Sequence, residues 1–163
     1  MGLLRNVGVG RTKLINEWLA EYTSIDQKSW KIEETWTIVT NGTIRVKSEI
    51  PQFTIDADYI KKTIIRGSFD CSDCENLTSL KGVPEEIDGS FYCEMCTQLS
   101  SLEGAPQKVH GNFNCSGCEN LESLEGAPKE VDGHFVCYGT RFSEEDVRNV
   151  AKIKVKGNVY CSK

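Results

Sequence analysis

From Gly67 to Gly133 the pattern of apolar and polar positions returns every 22 residues without slippage. Phe69, Phe91, Phe113 and Phe135 each stand two positions before Cys71, Cys93, Cys115 and Cys137. That alternation predicts a short strand with one buried face. Leucines follow in pairs three apart, at 77 and 80, 99 and 102, and 121 and 124. A Gly-x-Pro corner ending at Pro84, Pro106 and Pro128 then turns the chain, Gly permitting unusual torsions and Pro fixing one. Ile87, Val109 and Val131 lead back to the next strand. Each unit is therefore a strand, an apolar arc and a return, too small to bury its face alone. Identical units stack their strands in parallel about 4.8 Å apart.

The flanks read as modified end coils. Residues 1–10 are expected to be loose, with Thr12 the N-cap of a helix whose Leu14, Ile15, Trp18, Leu19 and Tyr22 share one face. Such a helix covers the open end of a stack. In residues 25–35, Trp30 and Ile32 are expected to touch that cap. Trp36 to Val46 reads as a hairpin about a type I′ turn at Asn41-Gly42. Its second arm, Gly42 to Val46, repeats the strand phrase with Ile44 and Val46 and forms a degenerate first coil. Trp36 to Val39 shield the edge. After Cys137 the leucine arc is abandoned, and Ser143 to Asp146 open a short helix through Val147 and Val150. Six parallel strands result, at 44–46, 69–71, 91–93, 113–115, 135–137 and 159–161.

The repeat phrase V-x-G-x-F-x-C-x-x-N/C-x-x-L-x-S-L-x-G-x-P resembles the short leucine-rich repeat common in proteins of tailed bacteriophages. The resemblance implies an α/β repeat: a leucine-rich-repeat-like solenoid with a parallel sheet, right-handed by the crossover rule. An N-terminal cap helix plus hairpin and a C-terminal helix-strand cap close its ends. The chain divides into a cap helix region (1–35), hairpin and first coil (36–66), three repeats (67–133) and a capping coil (134–163). All belong to one domain, as the length of 163 residues suggests.

Charge is unevenly placed. The net charge of −5 hides a repeat region at −10 and flanks at +5. Acidic return loops that keep a repetitive stack soluble explain this. Mimicry of nucleic-acid charge towards a basic groove is the sharper alternative. The N-terminal apolar run is too short for a signal peptide, Asn6 does not fit a myristoylation motif, and no run reaches the length of a membrane span. A cytoplasmic protein, or one of the host cell cytoplasm if phage-encoded, is expected, with its eight cysteines reduced. The pairs Cys71/Cys74, Cys93/Cys96 and Cys115/Cys118 have the spacing of zinc ligands. The same period carries Phe, Leu and Gly with equal fidelity, and Val46 takes the cysteine slot in the first coil. Buried structural thiols are the preferred reading, and a zinc-stabilised module the alternative. No cofactor is expected.

No phosphate-binding loop, nucleophile elbow or HExxH motif occurs. Alternation points His134 away from Cys137, so the two form no dyad and no enzyme is expected. What varies from coil to coil is the outward face of the sheet, where Tyr, Ser and Asn dominate. That vocabulary suits protein contacts. Candidate contact residues are Arg45, Asp70, Tyr92, Glu94, Asn112, Asn114, His134, Tyr138 and Tyr160. The expected function is a non-catalytic protein-binding module. From the resemblance alone it is a phage-encoded inhibitor of a host enzyme or antiviral defence protein. The expected partner is a host or bacterial protein, with self-association a further outcome. Direct binding of nucleic acid is not expected, because basic and aromatic residues do not interleave.

Overall fold

The computed structural model describes residues 2–24, 30–32, 37–53 and 63–162. Within them the chain winds into a parallel solenoid of about five turns. Its strands are β1 (Trp30–Ile32), β2 (Thr37–Arg45), β3 (Ile64–Asp70), β4 (Glu86–Ile87), β5 (Phe91–Tyr92), β6 (Lys108–Val109), β7 (Phe113–Asn114), β8 (Glu130–Val131), β9 (Phe135–Cys137), β10 (Lys154–Val155) and β11 (Val159–Cys161). The expected ladder is present in register: Ile44, Phe69, Phe91, Phe113, Phe135 and Val159 stack in turn.

A second parallel ladder runs beside it through β2, β3, β4, β6, β8 and β10. The stretch read as a plain return is itself a strand. Strands β2 and β3 cross both ladders, whereas later coils bend at Asp88-Gly89-Ser90 and its equivalents. Glycine is required at the bend because successive bends touch. The N–H of Gly111 donates to Gly89 O at 2.8 Å, and a Cβ on Gly111 would lie 2.5 Å from Ser90 Oγ.

The expected α/β character is corrected to a β-rich one. Among the described residues of the repeats no helix occurs. The leucine arc is made of tight turns, with Leu77 N donating to Cys74 O and Val83 N to Leu80 O. The eleven residues from Cys74 to Pro84 are taken up by these turns and by the Gly-x-Pro corner, which leaves no uninterrupted run for a helix.

Helical structure is kept for the ends. Helix α1 spans Gly2–Tyr22, so Thr12 is internal and residues 2–10 are not loose. Its C-terminus is capped by Lys47, whose Nζ donates to Ala20 O at 2.9 Å and Glu21 O at 2.7 Å. A cation there satisfies orphan carbonyls and the helix dipole together. The hairpin is also corrected: β2 is continuous through Asn41-Gly42, and its antiparallel partner is β1. Gly42 does not take the positive φ that a type I′ turn demands. Instead the β2–β3 register shifts between Val39 and Thr43, with Gly42 N donating to Thr40 Oγ1. Trp36, expected to shield the edge, lies outside the described residues, as do 25–29, 33–35 and the side chain of Trp30. Near the other end Ser143 exchanges hydrogen bonds with the Asp146 carboxylate and N–H, just ahead of one π-helical turn, Asp146–Val150.

The core is a pile of rings. Phe69, Phe91, Phe113 and Phe135 stack at centroid distances of 5.6, 5.4 and 5.1 Å, each pair adding about 1 kcal/mol beyond its buried area. Trp18 of α1 closes the pile, 5.9 Å from both Phe69 and Phe53. Its indole N–H is buried without a hydrogen-bond partner. Replacing Trp18 by Ala should therefore cost about 3–5 kcal/mol in urea unfolding, as for other large core truncations. Trp18→Phe should cost much less, since it keeps a ring and removes the unpartnered donor.

Candidate functional site

The outward sheet face carries all nine candidate residues, but the stack itself employs most of them. Immediately after the bend glycine, each side chain accepts the backbone N–H of the next coil. Ser90 N donates to Ser68 Oγ at 3.0 Å, Asn112 N to Ser90 Oγ at 3.0 Å, His134 N to Asn112 Oδ1 at 2.8 Å, and Asn158 N to His134 Nδ1 at 2.9 Å. The column needs an acceptor close to the backbone, which Ser, Asn and His all supply. Its variation is thus compatible with one structural task. The bond to His134 Nδ1 also places the ring proton on Nε2. Its ring lies 5.4 Å from that of Tyr160, in keeping with an orientation away from Cys137.

In the middle column Arg45 pairs with Asp70 at 2.9 Å, and Asp70 Oδ1 also accepts Ser72 N. Asn114 Nδ2 donates to Glu94, and Asn114 Oδ1 accepts Ser116 N and Oγ. Tyr92 is half-buried. Only Tyr138 and Tyr160, 50% and 37% exposed, present large uncommitted apolar area, and their rings stack at 6.3 Å.

Sequence reasoning missed Met95. It is 47% exposed and lies against Gly117 of the next coil. Its φ is +56°, in a column where Asp73 has +59° and Gly117 and Gly139 have +72° and +69°. A long apolar side chain held in a left-handed conformation costs about 1–2 kcal/mol. The signal was available as Met at a position that carries Asp73 in the repeat before and Gly117 in the repeat after.

The cysteine columns are interior. Cys96 Sγ donates to Cys71 O and Cys118 Sγ to Cys93 O, both at 3.0 Å, while Cys71, Cys93 and Cys115 approach carbonyls of the following coil. Burial holds the Cys71 and Cys115 thiols well above their ordinary range and pushes Cys74 up to about 12. In the contacting Cys93–Cys118 pair their mutual hydrogen bond is the first cause of both shifts, raising Cys93 and lowering Cys118. These thiols fit carbonyls rather than a tetrahedral zinc shell. Among the described residues, the one trio of His, Cys, Asp and Glu with ligand atoms all within 4.8 Å is Glu86, Asp88 and His110.

The expectation of eight reduced cysteines is corrected at the last coil, where Cys137 and Cys161 form a disulfide. Both belong to the first cysteine column, and stacking brings their Cα atoms to 4.7 Å. The second cysteine of earlier coils is replaced by Thr140, whose Oγ1 donates to Cys137 O. A disulfide belongs to oxidising surroundings, which removes the cysteine argument for the cytoplasm.

Part of the repeat region's acidic charge is partnered across coils. Lys81 meets Glu103 at 2.9 Å, Arg66 meets Asp88 at 3.7 Å and Lys156 meets Asp132 at 2.7 Å. Among the described residues no helix is long and apolar enough to cross a membrane. The geometry defines a parallel β-solenoid whose last coils expose the stacked rings of Tyr138 and Tyr160. No protein-family model, curated protein or solved structure matches this chain.

Two predictions separate structure from contact. Asn112→Ala leaves the His134 N–H unmet and should lower stability by about 1 kcal/mol in urea unfolding, binding partner or not. Cys161→Ser opens a loop of 24 residues and should cost about 3 kcal/mol. Dithiothreitol should reproduce that loss in the wild type and have little effect on the variant.

Proposed function

We propose that this chain is a non-catalytic protein-binding module that presents its sheet face to a partner. The observation that carries the reading is the coincidence of Met95, Tyr138 and Tyr160: these are the exposed large hydrophobic residues among those described, and all lie on or beside one face. Aromatic and methionine side chains that are rigidly mounted and only half covered are the residues enriched at protein interfaces. Around them, Ser, Asn and Glu supply adaptable polar contacts. Arg45, Asp70, Asn112 and Asn114 act mainly within the stack, so the contact centre narrows to Tyr138, Tyr160 and Met95, with His134 and Tyr92 at its margin.

The finer reading rests on the repeat phrase. Its resemblance to short leucine-rich repeats of tailed phages supports a bacterial host protein as the partner, and inhibition of a host enzyme or defence protein as the consequence. The engagement of the thiols with carbonyls weighs against a zinc module, and the cation partners of Asp88, Glu103 and Asp132 reduce the acidic charge that mimicry would present.

Tagged wild type and Tyr138→Ala/Tyr160→Ala should be compared in parallel captures from bacterial lysate, with unfolding curves for both. A stoichiometric partner retained by the wild type and lost by the double variant, at nearly unchanged stability, supports the reading. Met95→Gly should likewise weaken binding while relieving backbone strain. Identical captures with wild type and variants would remove this face from consideration.

A further inference from the structure

Charge sign alternates down the wall formed by the second ladder. Glu86, Lys108, Glu130 and Lys154 occupy one column, each paired in register with the next. Two residues further along each coil, Arg66, Asp88, His110, Asp132 and Lys156 form a neighbouring column. Its contacts run coil to coil. Arg66 Nε lies 3.7 Å from Asp88 Oδ2, and His110 Nε2 lies 3.9 Å from Asp88 Oδ1. His110 Nδ1 is 3.0 Å from Asp132 Oδ2, and Lys156 Nζ is 2.7 Å from Asp132 Oδ1. Glu86 reaches across from the first column to place Oε1 3.0 Å from His110 Nε2. In-register stacking sets like charges directly opposite unless their signs alternate, and opposed like charges destabilise a sheet. His110 stands where the alternation requires a cation.

Both ring nitrogens of His110 face carboxylate oxygens at 3.0 Å. A neutral imidazole has one N–H and satisfies one of them. The protonated ring donates to both. We propose that His110 is a proton-operated clasp: protonated, it ties the coils of Glu86 and Asp132 to its own, and on losing its proton it releases one of them and leaves Asp88, Glu86 and Asp132 facing an uncharged ring.

The surrounding groups favour the protonated state. Glu86 first, then Asp132, hold the imidazole above its ordinary value of 6.5, against partial burial and the charge of Lys108 on the same strand. Lys156, also 3.7 Å from Glu130, keeps the Asp132 carboxyl below its usual range, so that partner stays ionised. Because the folded value lies above the unfolded one, the clasp's stabilisation is complete at pH below the ordinary imidazole value. It disappears as pH rises through the higher folded value. The groups are partly exposed, so the effect is screened and weakens with salt.

The test is an NMR titration of the His110 ring in the wild type, folded and in urea, combined with melting midpoints between pH 5.5 and 9 for wild type, His110→Gln and Asp132→Asn. His110 should titrate at higher pH in the fold than in urea. Over the same range the wild-type midpoint should fall by about 2 °C more than that of His110→Gln, the scale of a modest stabilisation in a chain of this length. Asp132→Asn should move the ring's titration downward. Equal or lower titration in the fold would overturn the clasp, and the ring titration decides even where a variant fails to fold. Each measurement is repeated with EDTA and with zinc chloride. If the wild-type behaviour is lost in EDTA, or micromolar zinc suppresses the ring's titration and raises the midpoint, the cation between Glu86, Asp88 and His110 is a metal and the proton assignment falls.

Discussion

Everything in this molecule follows from stacking equivalent positions of successive coils directly upon one another, with main-chain hydrogen bonds of about 2.8 to 3.0 Å between coils. Each residue meets its own counterpart above and below, so a residue type is admissible only if it tolerates its own kind as neighbour. Phenylalanine does, by ring stacking. Glycine does, because backbone approaches backbone at the bend. Serine and asparagine do, because a side-chain acceptor can take the next coil's N–H. Charge does not, and it is the one property that reverses from coil to coil on the second-ladder wall.

That constraint explains how much could be read from the chain. Period and alternation made Phe69, Phe91, Phe113 and Phe135 legible as one buried column, and the six-strand ladder follows. The second ladder was not legible because its later coils offer one apolar position each, such as Ile87, and so show no alternation, whereas the first carries Phe91 and Cys93 two apart. Asn41-Gly42 carried a strong local turn signal that lost to pairing with β3, a tertiary override of local propensity. The helix start was hidden by Gly2, Gly8 and Gly10, which are poor helix residues yet fall within α1.

The candidate face was legible in outline and misjudged in detail. Outward orientation follows from period two, but orientation does not reveal whether an outward side chain is already bonded. Asn112 and His134 accept backbone donors one coil away, and nothing local in the sequence marks that task. Met95 shows the converse. Its backbone conformation is shared with Asp73, Gly117 and Gly139, visible only when repeats are compared column by column. The disulfide likewise depends on three-dimensional stacking of Cys137 on Cys161 across an irregular final coil.

The reversal of sign along the charged wall distinguishes two kinds of repeat in one chain. For the core, one coil is the unit: any coil can follow any other, since Phe, Leu and Cys positions are interchangeable. For the wall, the unit is a pair of coils, one with Glu86 and Asp88, the next with Lys108 and His110. A gene segment encoding a single coil could be duplicated without disturbing the aromatic pile, yet it would seat acid on acid or base on base at the new junction. Lengthening or shortening the solenoid is therefore expected to proceed more readily by two coils than by one, so the wall records a parity that the core does not possess.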